Sequence, residues 1–126
     1  MSVTVKDLIA AARGAVPSIA PAAASELVRS ADALILDVRD GTEVAASGKI
    51  KGSLAISRGM LEFRADPDVP TYHPALRKDR PILVYCGSGG RSALAGKTLI
   101  DMGFKDVRNL GGFKDLVDAG WAVEPA

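Results

Sequence analysis

The only cysteine of the chain, Cys86, is followed by three glycines and one serine and then by Arg91. A short apolar run, residues 81–85, precedes it, and a segment with helical spacing, residues 92–102, follows it. Glycines let a backbone curl so that several N–H groups approach one point, and a helix N-terminus adds free N–H donors and partial positive charge. A thiol at that point is expected to lose its proton below the free value of about 8.5. We therefore predict that this loop holds an anionic sulfur.

The segments around the loop predict how it is positioned. Residues 34–38 are apolar apart from Asp37, which is typical of a strand covered on both faces. Residues 50–56 and 107–110 are predicted to be further short strands, and segments with helical spacing lie between the strands. This alternation predicts an α/β domain with a mostly parallel central sheet. Ligands of such sheets lie outside the carboxyl ends of the strands, which is where Cys86 falls.

Composition excludes several classes of protein. Hydrophobic residues make up 48% of the chain and charged residues 25%, as is ordinary for a globular protein, and the net charge of +1 indicates no nucleic-acid-binding surface. One cysteine cannot form an internal disulfide. Lys6, Asp7 and Arg13 interrupt the N-terminal segment, and no run approaches the roughly 20 apolar residues that span a bilayer. We predict a cytoplasmic protein that binds neither nucleic acid nor membrane.

Two nucleotide-binding motifs fit the glycines poorly. The segment Gly96–Thr98 resembles the end of a Walker A loop, but the first glycine of that motif would have to stand where the chain has Arg91. A dinucleotide fingerprint, Gly-x-Gly-x-x-Gly, is matched at Gly87 and Gly89, but its third position is Ser92. We therefore predict no nucleotide cofactor.

Two other kinds of site that contain cysteine are also disfavoured. A metal site needs several ligands, and Cys86 with His73 alone is too few, so no metal is predicted. Cysteine phosphatases place five residues between cysteine and arginine, whereas four residues separate Cys86 from Arg91. The smaller ring suits one sulfur atom on the cysteine rather than a phosphate, and no general-acid carboxylate on a separate loop is identified.

Three further segments accompany the loop Cys86–Ser92. They are Leu36-Asp37-Val38-Arg39 with Glu43, Gly48-Lys49-Ile50-Lys51-Gly52-Ser53, and Asn109-Leu110-Gly111-Gly112-Phe113. Together they resemble the motifs of the single-domain rhodaneses, a family of sulfurtransferases: the Asp-Val-Arg and Gly-His-Ile-x-Gly-Ala pair, the active-site loop and the closing segment. The resemblance covers roughly residues 30–126.

The resemblance implies a rhodanese-like domain at residues 30–126, in which a mostly parallel sheet has helices on both faces. Residues 1–29 are then an N-terminal helical extension, and we expect the whole chain to form one compact unit. The implied activity is sulfur transfer: the Cys86 thiolate takes a sulfane sulfur from a donor, holds it as a persulfide and passes it to a thiol or cyanide. The residues assigned to the site are catalytic Cys86 and Arg91, substrate-binding Gly87, Ser88, Gly89, Gly90 and Ser92, and a structural ion pair, Asp37 and Arg39.

Two departures from the family pattern bear on the donor. Lys49 stands where the family usually has histidine, and Gly87 and Ser88 stand where members that prefer thiosulfate often have cations. Arg91 would then be the only loop cation for a dianionic donor, so a low affinity for thiosulfate is expected, with a persulfide or polysulfide as an alternative donor. Glu43 is expected to be solvated.

Two functions remain open from the sequence. One is a sulfurtransferase enzyme, and the other is a sulfur carrier or binding module of the same fold without efficient turnover. Either would bind a small sulfur donor and use an acceptor from outside the chain, since no second cysteine is present. A monomer or a weak homodimer is expected. A phosphatase-like activity is a more distant alternative.

Overall fold

The computed structural model describes residues 2–126. The α-helices are α1 (Val5–Ala15), α2 (Pro21–Ala31), α3 (Gly41–Ser47), α4 (Leu61–Ala65), α5 (Gly90–Asp101) and α6 (Phe113–Asp118), and a short 3₁₀ helix, Arg58–Met60, precedes α4. The strands are β1 (Leu34–Asp37), β2 (Lys49–Ile50), β3 (Leu54–Ala55), β4 (Ile82–Cys86), β5 (Val107–Gly112) and β6 (Val123–Glu124). None of these helices is long and apolar enough to cross a membrane.

Four strands form a central sheet in the order β3-β1-β4-β5, and every neighbouring pair is parallel. The predicted α/β class is therefore confirmed. The single strand predicted at residues 50–56 was wrong, because a turn at Lys51 and Gly52 divides it. The first part, β2, pairs antiparallel with β6 in a separate two-stranded sheet, and the second part, β3, joins the edge of the central sheet.

Helices cover both faces of the central sheet, as predicted. Successive strand residues point to opposite faces. On one face, Leu36 of β1 belongs to a buried cluster with Leu99 of α5. On the other face, Ile35 belongs to a second cluster with Ala24 of α2 and Leu116 of α6. Burial on both faces explains why the β1 sequence is apolar throughout rather than alternating.

The loop lies at the carboxyl edge of this sheet. Strand β4 ends at Cys86 and α5 begins at Gly90, two residues earlier than the spacing predicted. Strand β4 is an interior strand with β1 and β5 on either side, and all five of its residues are buried. Because the three strands are parallel, the ends of β1 and β5, at Asp37 and Gly112, lie at the same edge as the cysteine.

The N-terminal segment packs on the helix that begins at the loop. Helix α1 starts with a capping box, in which Thr4 and Asp7 each accept a hydrogen bond from the other's backbone N–H at 3.1 Å. Beyond its last turn, Val16 lies against Gly96 of α5, so closely that a Cβ on the glycine would be 2.8 Å from a Val16 methyl carbon. The end of α1 is therefore fixed against α5.

Candidate active site at the carboxyl end of β4

The sulfur of Cys86 is enclosed by the loop that follows it. Cys86 is fully buried, and its Sγ accepts hydrogen bonds from the backbone N–H groups of Gly89 at 3.0 Å and Ser92 at 3.3 Å. The hydroxyl oxygen of Ser92 lies 3.4 Å from the same sulfur. Donors that are already aimed at one atom stabilise negative charge there without reorganisation. The loop can therefore hold an anionic sulfur.

Two opposing effects set the pKa of the Cys86 thiol. Burial raises it, because a low-dielectric environment disfavours the thiolate. Hydrogen bonding with the Ser92 side chain, and hydrogen bonds from the N–H groups of Ser92, Gly89 and Ser88, lower it, and together they outweigh burial. The pKa of Cys86 therefore lies below the ordinary value of a cysteine, and more of the thiol is ionised near neutral pH.

We expect the rate at which iodoacetamide alkylates Cys86 to rise with pH through a midpoint below about 8.5, the value of a free thiol. Only the thiolate reacts, so a lowered pKa moves the rise to lower pH, while burial reduces the absolute rate. The measurement is the alkylated fraction by intact mass across a pH series, with glutathione as the free-thiol reference. A midpoint at or above that of glutathione would contradict this account of the loop.

Two glycines shape the loop. Gly89 has φ of +100° and is the N-cap of α5, a backbone conformation that residues with a side chain rarely adopt. Gly112, at the end of β5, lies directly against the loop: a Cβ on it would be 2.6 Å from the carbonyl oxygen of Gly87 and 3.3 Å from Cα of Ser88. Close approach of two backbones thus fixes the outer part of the loop.

A buried clamp of Ser92 and Asn109 holds the inner part of the loop. The hydroxyl of Ser92 lies 2.7 Å from Oδ1 of Asn109, and the amide of Asn109 donates to the carbonyl of Gly89 at 3.2 Å. Oδ1 also accepts from the N–H of Gly111 at 3.0 Å. Asn109 therefore ties the loop and the start of α5 to the neighbouring strand.

A bulge in β5 allows this arrangement. Val84 of β4 pairs with Asn109, but the next residue, Tyr85, pairs with Gly111, so that Leu110 is an extra residue. The extra residue brings Gly111 and Gly112 opposite Tyr85 and Cys86. Asn109 reaches Ser92, while Leu110 belongs to the apolar cluster on the other face.

Arg91 is bound by a partner from another element. Its guanidinium donates to both carboxylate oxygens of Glu43 in α3, at 2.5 and 3.0 Å, and the two side chains are each more than a third exposed. The hydrogen bonds from Arg91 lower the pKa of Glu43 to about 2, and the carboxylate in turn raises the pKa of Arg91. Glu43 was expected to be a solvated residue, and that expectation was wrong. The loop cation is therefore largely neutralised.

Asp37 and Arg39 form a buried pair beside the site. Arg39 donates to Oδ2 of Asp37 at 2.8 Å and to the carbonyl of Gly48 at 2.8 Å, and its guanidinium carbon lies 4.2 Å from the ring centroid of Phe113. The hydroxyl of Tyr85 donates to the same Asp37 oxygen at 2.8 Å. Burial raises the pKa of Tyr85 to about 12. These contacts join β1, β4, α3 and α6 and suit the structural role that we assign to the pair.

Of the proposed loop residues, the structure places Gly89 and Ser92 in hydrogen-bond contact with the sulfur. Ser88 is exposed at the rim, and Gly90 begins α5. Sequence reasoning did not assign Asn109 or Glu43 to the site. The signal for both was available, since each lies in a segment that carries the family resemblance, but their partners are distant in sequence. Among residues 2–126, no group of three or more potential metal ligands occurs.

Comparisons with known proteins confirm the family that the sequence motifs predicted. A family model described as a rhodanese-like domain matches residues 20–119. The thiosulfate sulfurtransferase GlpE of Coxiella burnetii is 34% identical over 90 residues, which are 71% of this chain and 76% of that protein. A tRNA uridine(34) hydroxylase of Nitrobacter winogradskyi is 35% identical over 88 residues, which are 70% of this chain and 33% of that protein.

A solved structure matches the chain almost from end to end. It is a protein of unknown function from Rhodopseudomonas palustris, described as a possible tyrosine phosphatase, with 39% identity and a TM-score of 0.89. The match covers 98% of this chain and 96% of that one, so it includes α1, which lies before the region matched by the family model.

Proposed function

Because this chain belongs to the rhodanese-like family, we propose that it is a sulfurtransferase that uses Cys86 as its nucleophile. The observation that carries the proposal is the enclosed sulfur at the end of β4. It accepts hydrogen bonds from two backbone N–H groups, and the pKa of the Cys86 thiol is lowered. The substrates are a small molecule that carries a sulfane sulfur and an acceptor thiol or cyanide.

The first half-reaction loads the cysteine. The thiolate of Cys86 attacks the outer sulfur of the donor, the donor's sulfur–sulfur bond breaks, and its electron pair leaves with the thiol or sulfite product. A new bond then joins Sγ to the transferred sulfur, which carries the negative charge. The N–H groups of Gly90 and Arg91 are in the first turn of α5, where backbone donors have no acceptor within the helix, and they suit that terminal sulfur.

The second half-reaction removes the transferred sulfur from Cys86. An acceptor thiolate or cyanide attacks the terminal sulfur, and the Cys86 thiolate leaves with the electron pair of the persulfide bond. The hydrogen bonds that lower the pKa of Cys86 also make it a better leaving group. Since the chain has one cysteine, the acceptor must be a separate molecule. The cycle is covalent catalysis in two steps, with ping-pong kinetics expected.

A phosphatase function is supported less well by the same site. A phosphatase needs a protonated carboxyl group that can donate to the leaving oxygen. Glu43, the carboxylate in contact with Arg91 beside the loop, has a pKa near 2 and stays ionised at neutral pH. A chromogenic phosphate ester tests this alternative directly, and we expect no turnover.

The deciding experiment is donor profiling by intact mass. The protein is incubated with thiosulfate, glutathione persulfide or polysulfide, and we expect the mass of one sulfur atom to be added at Cys86. Addition of a thiol acceptor should then remove it, and repeated cycles should follow. Loading without repeated turnover would favour a sulfur carrier, and absence of loading by all three donors would refute the proposal.

We expect Ser88→Lys to lower the KM for thiosulfate about fivefold at low salt. Ser88 is exposed at the rim, and Arg91, the cation of the loop itself, is already bound by Glu43, so a dianion gains little from it. One partly exposed ion pair contributes up to about 1 kcal/mol, or about fivefold. Gly87 is a poorer position for a cation, because its Cβ would lie 3.0 Å from the Arg91 guanidinium.

The matched control is Ser88→Gln, which adds length without charge and should leave this KM unchanged. The gain with lysine should shrink as salt rises, because exposed charges are screened within about 10 Å at 0.1 M ionic strength. Equal KM values for the lysine and glutamine variants would refute the charge argument.

A further inference from the structure

The N-terminal helix contributes a side chain to the neighbourhood of the loop. Ile9 and Arg13 lie one turn apart on the same face of α1. A Cβ on Gly90 would be 3.4 Å from a methyl carbon of Ile9, and a Cβ on Gly89 would be 3.8 Å from a guanidinium nitrogen of Arg13. Both residues therefore face the glycines that open α5.

Arg13 also lines a cavity of about 280 Å³ beside the loop. The segment after α1 forms one wall, where Ser18 pairs with Asn109 along the outer edge of β5. The lining also includes Ser88, Gly89 and Asn109. Among residues 2–126, Arg13 is the one charged side chain in this lining, and no carboxylate belongs to it.

The cavity adjoins the sulfur but does not contain it. Gly89 belongs to the lining, and its N–H donates to Sγ of Cys86 at 3.0 Å, whereas Cys86 itself is not part of the lining. From covalent geometry, the guanidinium of Arg13 lies no more than about 10 Å from that sulfur. The distance from Arg13 to the sulfur is therefore within the length of a small organic thiol.

We infer that this cavity binds the body of an organic thiol, with its carboxylate on Arg13, while its persulfide or thiol group reacts at Cys86. The inference rests on the proposed function. Arginine binds a carboxylate through two parallel hydrogen bonds, and the serine and asparagine side chains of the lining offer partners to a peptide-like ligand. Thiosulfate does not need such a cavity, because its charged oxygens are only two bonds away from the sulfur that is transferred.

The kinetic test compares Arg13→Gln with wild type on glutathione persulfide and on the persulfide of the glutathione diester. We expect the KM for the free acid to rise about fivefold in the variant with little change in kcat, and the KM for the ester to stay constant. Arg13→Lys should retain part of the affinity. Arg29→Gln, at an exposed arginine of α2, is the matched control and should change neither value.

A structural role for Arg13, as a cation in the last turn of α1, would affect both donors alike. An equal change for acid and ester, or no change for either, would therefore overturn the inference while leaving sulfur transfer intact. Binding is also measured without turnover, by titrating S-methylglutathione into wild type and Arg13→Gln. Weaker binding by the variant supports the inference, and equal affinity or no binding overturns it. Failure of every donor to load Cys86 would instead refute the proposed function.

Discussion

Replacing Cys86 by serine is expected to abolish sulfur loading and to reduce sulfur transfer by at least about 10³-fold, because serine cannot form a persulfide. The chain contains no other thiol that could take over. The fold should persist, since a hydroxyl can accept the hydrogen bonds that Gly89 and Ser92 now donate to the sulfur. The measurement is intact mass after incubation with each donor, together with the thermal unfolding midpoint.

The control for this variant is wild-type protein alkylated by iodoacetamide, in which the same sulfur is blocked without any mutation. Both preparations should remain unloaded by every donor. Sulfur added to Cys86→Ser, or turnover near the wild-type rate, would show that the reaction does not pass through this residue.

Gly112→Ala is expected to reduce the rate of Cys86 loading by about 10²-fold, because displacement of a reacting group by about 1 Å can cost that much. The backbone of Gly112, with φ of −104° and ψ of 147°, suits any residue, so the added methyl group acts by contact alone. That methyl would lie 2.6 Å from the carbonyl oxygen of Gly87, and backbone must shift to admit it. Overpacking of this kind costs about 1–3 kcal/mol of stability.

A second measurement tests whether displacement of the loop causes the slower loading in Gly112→Ala. If the loop moves, the hydrogen bonds to the sulfur lengthen, and the alkylation midpoint of Cys86 should rise toward that of a free thiol. The matched control is Gly59→Ala, where the methyl would meet no atom within 4 Å, and it should load at the wild-type rate. A wild-type loading rate and an unchanged alkylation midpoint in Gly112→Ala would mean that the contact between Gly112 and Gly87 does not fix the position of the loop.

The position of the loop could be predicted because its signals are local. An apolar run, a cluster of glycines and a helical spacing lie within about twenty residues, and each restricts the backbone by itself. The alternation of strands and helices likewise predicted the parallel sheet. The resemblance to a known family then supplied the chemistry of the site.

The contacts that complete the site could not be predicted in the same way. Glu43 and Arg91 are 48 residues apart, and in the sequence Glu43 is one acidic residue in the first turn of a short helix. The division of residues 50–56 depends on β6 near the C-terminus, which pairs with β2. Similarly, the sequence of α1 is typical of an ordinary helix, and its approach to Gly89 follows from its packing on α5, including the contact of Val16 with Gly96. Such contacts depend on tertiary structure.

The extra residue in β5 bears on how distant sequences are aligned with this one. Because Leu110 has no partner in β4, its deletion would restore a regular strand and would leave Gly111 and Gly112 opposite Tyr85 and Cys86. What the deletion would remove is one buried leucine of the apolar cluster on the opposite face. An alignment gap of one residue between the asparagine and the two glycines is therefore compatible with closure of this loop, and the two glycines, rather than the length of the segment, are the residues to compare where the cysteine is retained.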